Sequence, residues 1–312
     1  MALFVVRTAL LPKIGRKDVR STRTEEQGNQ LGRVYLARTS DSHGWCVQSK
    51  DEKSASGLLF IKLEKAASST GAGIALNVAH NVAIRGNVEH CVAHVEHYKT
   101  QQLPLSTRSH QNSLLWTIIR HPAKRSLSHY FFFRVSQLQE KQNNEAMLLH
   151  LETQKNFQFH SLQQGSFTNH TVNDIVQEMD FIAIAERMEE SLVVFRLLFG
   201  MKASDVIVLS SKKSGGYDGG FFNETCHKIV PSFLTRETKQ YISTAFKENN
   251  SDYELYAVAN AALDRTIDSL GRQRVEKEVL YHRHLQRVAE KACQKEAIFS
   301  CSRDGVRQIR LS

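Results

Sequence analysis

A lysine followed by small residues and hydroxyls, the run KAASST over 65–70, has the composition of an anion cradle. Small side chains such as Ala66 let the backbone close around a phosphate, and a helix starting in the run aims free N–H groups and its positive dipole end at it. Ser68, Ser69 and Thr70 add hydroxyl donors, and Lys65 adds a full charge. The run is not a Walker loop, because GxxxxGK[ST] is absent and the lysine precedes the hydroxyls. A hydroxyl-rich helix start is also an ordinary N-cap, so the run by itself leaves both readings open. A second cationic element is RHPAKRSLSHY over 120–130. Arg120 offers a planar fork to phosphate oxygens and Ser128 adds a donor from the following helix. Lys212 and Lys213, in the glycine-bearing run SSKKSGG over 210–216, could close over a phosphate or belong to a solvated loop. For moving a proton, His94 in HCVAHVEHY over 90–98 titrates near neutrality. Glu64, beside the lysine, is the second candidate, a weak base unless burial raises its pKa.

The elements that must position these residues repeat a pattern of strand, loop and helix. The apolar run 58–63 predicts a buried strand, and Ile74, Leu76, Val78, Ala79, Val82 and Ala83 predict the helix after it. The run 114–119 predicts a second strand, broken at 120–122. A helix then carries Leu127, Tyr130, Phe131 and Val135, with Pro122 in its first turn. A third unit follows with a strand over 180–185 and a helix over 188–199 closed by Gly200. The stretch 137–163 is expected to be helical and exposed, 206–209 to be another strand, 210–222 to be a loop, and the chain from Pro231 onward to be helical. Strands alternating with helices predict an α/β protein with a mainly parallel sheet flanked by helices and a helical C-terminal part. Both cationic elements then fall at the carboxyl ends of strands, where open α/β sheets bind ligands. The expected organisation is a leader over 1–56, poorly ordered or targeting, a main domain over 57–270, and a C-terminal helix and tail over 271–312.

The formal charge of +9 over 312 residues suggests an anionic partner without choosing one, and a solvated basic face fits it as well. The leader holds Arg7, Lys13, Arg16, Lys17, Arg20 and Arg23 against the acid Asp18, which fits a targeting arm, a truncated anchor or a plain tail. No apolar run is long enough to span a membrane. Cys46, Cys91, Cys226, Cys293 and Cys301 show no zinc spacing, so no metal is expected, and Cys293 and Cys301 are close enough to close a short disulfide loop. Sequons at Asn169, Asn223 and Asn249 add weak support for a secretory route.

The segment FIKLEKAASST over 60–70 resembles the 5′-phosphosulfate loop of membrane-associated carbohydrate sulfotransferases, usually close to HKTASST. The run 120–130 is similar to that family's 3′-phosphate element, RDPxxRxxSxY, with Arg120, Pro122, Arg125 and Ser128 in place and His121 where Asp is usual. FIAIAERMEESLVVFR over 181–196 resembles the TERFDESLVLLRRL segment of galactose-3-O-sulfotransferases, the group that includes galactosylceramide sulfotransferase. The resemblance covers about residues 58–293 and implies a P-loop-like sulfotransferase fold using 3′-phosphoadenosine-5′-phosphosulfate (PAPS) as sulfuryl donor and no metal. It implies that Lys65 contacts the bridging oxygen of the leaving phosphate, that Ser68, Ser69 and Thr70 hold the 5′-phosphate, and that Arg120 and Ser128 hold the 3′-phosphate. The implied acceptor is a carbohydrate or glycolipid, with galactose favoured, no nucleic acid, and a Golgi setting with membrane association. In that group a histidine often precedes the loop lysine, where this chain has Glu64, which keeps a catalytically silent nucleotide- or glycan-binding protein in view. A 2-O-type glycosaminoglycan sulfotransferase is the other alternative.

Overall fold

The computed structural model describes residues 34–35, 56–86, 91, 93–97, 108–166, 170–208, 215–219, 225–293, 301–302 and 304–307. Among them, β1 (Gly57–Lys62), β2 (Ala93–His97), β3 (Ser113–Ile119) and β4 (Phe181–Ile184) form one sheet in the order β2-β1-β3-β4. Every pairing in it is parallel, with Phe60 beside Trp116 and Trp116 beside Phe181. β1 feeds α1 (Ser68–Gly86) and then β2 on one side, whereas β3 leads through a helical stretch to β4 on the other. The chain therefore diverges between the carboxyl ends of β1 and β3, the switch point at which a crevice opens in such sheets.

Unbroken apolar sequence makes the central strands. All seven residues of β3 are buried, which requires cover on both faces. On one face Phe60, Trp116 and Phe195 stack in a row, with ring centroids 4.5 Å and 4.7 Å apart. Phe195 belongs to α6 (Met188–Leu198), and α1 reaches the same row through Gly71. A Cβ at Gly71 would fall on the Phe60 ring and lie 2.9 Å from Ile118 Cδ1. Gly71→Ala should therefore lower stability by about 1–3 kcal/mol, read as a drop in melting temperature. A melt unchanged from wild type would mean that the glycine is not what seats the start of α1.

The helical stretch after β3 consists of α2 (Pro122–His129), a π-helical segment (Tyr130–Gln137), α3 (Asn144–Thr153), α4 (Phe157–Ser166) and α5 (Val172–Glu178). The C-terminal part holds α7 (Arg236–Ser243), α8 (Ser251–Leu270) and α9 (Arg272–Cys293). α9 docks on α6 through ion pairs Arg196–Glu278 and Arg283–Glu189, each at 2.6 Å. Tyr35, from within the expected leader, is buried against Phe181, with ring centroids 5.0 Å apart, and its N–H donates to Thr266 Oγ1 at 3.0 Å.

Four expectations need correction. The run 206–209 is not a strand among the described residues; a 3-10 turn, Ala203–Val206, stands there instead. Asp205 fixes that turn by accepting from the Lys202 N–H at 2.8 Å and from both Arg85 Nη atoms at 2.7 Å. The Gln286 side chain on α9 then meets the N–H and carbonyl of Val208, so a side-chain amide takes the place of a neighbouring strand. Within 210–222, β5 (Tyr217–Gly219) pairs antiparallel with β6 (Cys226–Lys228), so that stretch is not all loop. In 137–163 the helices are α3 and α4, and they are not simply exposed: Met147, Leu151, Gln158 and Leu162 are buried. Finally, Cys301 pairs with Cys226, 75 residues away, and among the described residues Cys293 is a free thiol. Cys91 is disulfide-bonded as well.

Candidate anion site between two strand ends

Leaving β1, the loop reverses twice without a glycine. Lys65 (φ 61°) and Ala67 (φ 60°) both take the left-handed conformation, at a cost of roughly 1–2 kcal/mol each for an L-residue. Alternation of this kind turns successive N–H groups toward a common concavity. The Gly71 N–H donates to the Ala67 carbonyl at 3.2 Å and closes the first turn of α1. The N–H groups of Ser68, Ser69 and Thr70 therefore belong to the turn whose donors a helix cannot satisfy itself. Ser68 and Ala66 are buried, Thr70 is half-buried and Ser69 is exposed. The Lys65 ammonium rests over the Phe132 ring, 3.4 Å from its centroid. Phe132 comes from the π-helical segment, a form that gathers at functional sites.

Arg120 leaves the end of β3 directly opposite. Its Nη1 donates to the Lys65 carbonyl at 3.1 Å, so the Arg120 guanidinium meets the loop that carries Lys65. The Arg120 main chain is clamped by a single side chain. Gln158 Oε1 accepts from its N–H, and Gln158 Nε2 donates to its carbonyl, both at 2.8 Å. Gln158 lies in the first turn of α4, and Asp252 on α8 accepts from the Gln158 N–H at 3.1 Å and the Phe159 N–H at 2.8 Å. Burial lowers the Arg120 guanidinium below its ordinary range, and Glu186 partly restores it. Glu186, just after β4, accepts from the His121 N–H at the start of α2 (3.2 and 3.1 Å) and from Tyr256 Oη at 3.3 Å. It also stands 3.9 Å from Arg120 Nε and 4.0 Å from Lys124 Nζ. This carboxylate offsets the positive end of α2. Ser128 is half-buried on α2, one turn beyond Lys124 and hence on the same face. Arg125, the motif's other arginine, is fully buried. It donates to Gln154 Oε1 at 2.7 Å and lies over the Phe157 ring at 3.9 Å.

Glu64 meets a partner that the sequence does not announce. Its Oε2 lies 3.3 Å from His129 Nε2, and His129 Nδ1 lies 3.2 Å from His150 Nε2 on α3. Burial pushes the His129 pKa down, against the Glu64 hydrogen bond and with help from Arg125 and Lys65. His150 is pushed down to about 4 by burial, then by His129, Arg125 and Arg134. Burial thus favours the neutral form of both rings.

The structure thus brings together Lys65, Arg120, Glu64 and the hydroxyl run 68–70. His94 stands in β2 beside Leu59, with its side chain outside the described residues. Lys212 and Lys213 also lie outside them. Sequence reasoning missed Gln158, Glu186, Asp252, His129 and His150. One local signal was available, since His129 adjoins Ser128 in a motif already singled out.

Fold and site define an α/β protein with a parallel sheet flanked by helices, in which Arg120 and the loop of Lys65 meet at the carboxyl ends of β1 and β3. Among the described residues no His, Cys, Asp and Glu cluster could hold a metal ion, and no helix is long and apolar enough to cross a membrane. Compared with protein-family models, with curated proteins and with solved structures, the chain finds no match.

Proposed function

We propose that the protein is a PAPS-dependent sulfotransferase that moves a sulfuryl group to a hydroxyl of a carbohydrate acceptor, galactose of a glycolipid or glycan being favoured by the sequence resemblance. The observation that carries the reading is the bond from the Arg120 guanidinium to the Lys65 carbonyl. It brings Arg120, at the end of β3, against the loop that carries Lys65, which supports reading the two elements as the holders of the two phosphates of one adenosine. In this reading the loop concavity and the first turn of α1 take the 5′-phosphate, while Arg120 and Ser128 take the 3′-phosphate. Lys65 swings from Phe132 to the bridging oxygen. Transfer is an in-line displacement, helped mainly by positioning and by charge stabilisation. The disulfides support an oxidising compartment such as the Golgi lumen.

The test is ligand stabilisation followed by transfer. A ligand at about 100 times its Kd stabilises by roughly 2.7 kcal/mol, a readily measured rise in melting temperature. 3′,5′-ADP should give that rise and ATP with magnesium should not, Arg120→Ala should lose it, and labelled PAPS should pass sulfate to a member of a galactoside, glycosaminoglycan and glycolipid panel. Equal stabilisation by ATP with magnesium, or no response to 3′,5′-ADP, would count against the proposal.

A further inference from the structure

We infer that Asn249 is an acceptor for an N-linked oligosaccharide, carried on the turn that leads into α8. The inference rests on the disulfides and on the build of that turn, not on the sulfuryl-transfer reading. Asn249, Asn250 and Ser251 have the acceptor spacing, with no proline between. A glycan is bulky and solvated, so a finished fold can keep it only on an asparagine whose side chain stands clear of the protein. Asn249 meets that condition. It is exposed, and its backbone is left-handed (φ 52°), a conformation that asparagine enters more readily than most residues. Its main-chain carbonyl accepts from Asn156 Nδ2 at 3.2 Å, whereas its side-chain amide has no hydrogen bond among the described residues.

The other two residues divide the work of holding the turn. Asn250 is buried, and its Oδ1 accepts from the Asp252 N–H at 3.2 Å and from the Asn156 N–H at 3.0 Å. Its Nδ2 donates to the Phe246 carbonyl at 3.1 Å. Ser251 opens α8 with its N–H on Asn156 Oδ1, and its hydroxyl has no hydrogen bond among the described residues. Asn156 thus clasps the main chain on both sides of Asn250 from 93 residues away. The buried Phe246 and Asp252 anchor the turn before and after it, and Lys247 and Glu248 are exposed beside Asn249. Every contact that fixes the turn therefore uses main chain or the Asn250 side chain, and the two side chains that acceptor chemistry needs remain available. Cys226–Cys301 and the disulfide at Cys91 belong to the kind of compartment in which such sugars are attached. In the step, Asn249 Nδ2 bonds to C1 of the first sugar of an oligosaccharide carried on a polyprenyl diphosphate. The bond from C1 to the diphosphate oxygen breaks, the lipid diphosphate leaves with that electron pair, and the amide gives one proton to a base of the cell's transferase. The transferase acts on the chain before it folds, and the Asn156 clasp then closes on main chain that carries no sugar.

The test is expression of the full chain in eukaryotic cells behind a cleavable secretory signal, with peptide mass spectrometry before and after peptide-N-glycosidase. The total cell extract is read, so the outcome does not depend on export. The wild-type peptide spanning Asn249 should carry a glycan built on N-acetylhexosamine, and the digest should convert that asparagine to aspartate. Ser251→Ala should abolish the glycan at Asn249 although the asparagine is untouched, and Ser251→Thr should keep it. Asn249→Gln should abolish it as well, but the left-handed backbone makes that variant the one more prone to misfold, so Ser251→Ala decides. Glycan removal from the folded wild type should leave a cooperative melt, because the clasp holds main chain. An unmodified Asn249 peptide in the wild type overturns the inference, as does a glycan that survives Ser251→Ala. Glycans found only at Asn169 or Asn223 overturn it too. None of these outcomes touches the sulfuryl-transfer reading, which the 3′,5′-ADP shift tests separately.

Discussion

Replacing Lys65 by methionine should cut sulfuryl transfer by about 10²–10³-fold, the usual loss when one donor to a developing negative charge is removed, while 3′,5′-ADP still raises the melting temperature. The two readouts separate because the lysine acts at different strengths on them. Negative charge on the bridging oxygen grows only as the bond to sulfur breaks, so an ammonium aimed there binds the transition state more strongly than the ground state. In the proposed sulfotransferase the 5′-phosphate would keep the first turn of α1, which begins at Ser68, and the hydroxyls of Ser68, Ser69 and Thr70. Methionine keeps an unbranched stem over Phe132, where the ammonium now rests 3.4 Å from the ring centroid. That contact is worth about 0.5–2 kcal/mol, modest enough for the lysine to exchange the ring for a phosphate oxygen. Turnover with labelled PAPS and a thermal melt, run on the same preparation, decide the matter. Undiminished turnover in the variant would remove Lys65 from the chemical step.

The parts of this arrangement that sequence reveals are those encoded within one strand and the few residues after it. β1, β3 and β4 each read as an apolar run, and Lys65 and Arg120 lie at strand ends that can be found by inspection. What escapes is whatever crosses long stretches of chain. Gln158 clamps Arg120 from 38 residues away, Asp252 holds Gln158 from 94, and Glu186 reaches His121 from 65. No spacing rule connects such partners. The run 206–209 has the composition of a strand, and it fails to become one because Gln286 satisfies the Val208 main chain from α9. The apolar positions at Leu127, Tyr130, Phe131 and Val135 fit an α-helical period, so nothing marks the shift to π-helix at Tyr130 that carries Phe132 to Lys65. The left-handed backbone at Lys65 and Ala67 is hidden for a related reason, since glycine is the residue that normally signals it.

Asp252→Asn should lower stability by about 1–3 kcal/mol, the usual cost of leaving a buried donor without its acceptor. The carboxylate is buried at 1% exposure and accepts from two N–H groups at the start of α4. Burial raises its pKa, and the two N–H donors and the charge of Arg125 pull it back. Asparagine keeps the shape and loses both compensations. Its amide NH₂ must face one of the N–H groups, and the fully buried Arg125 loses the negative charge nearby. A loss of that size is a large share of the roughly 5–15 kcal/mol by which folded proteins are stable. The damage should also travel. With the first turn of α4 loosened, Gln158 no longer clamps the Arg120 main chain, so the 3′,5′-ADP shift should weaken even well below the new melting temperature. Pairing Asp252→Asn with Arg125→Met should recover only the part of the loss that comes from Arg125 losing a nearby negative charge. If the double variant is no more stable than the single one, Asp252 acts only as a helix cap. If the single variant melts like wild type, the route from α8 through α4 to Arg120 does not hold the crevice in place.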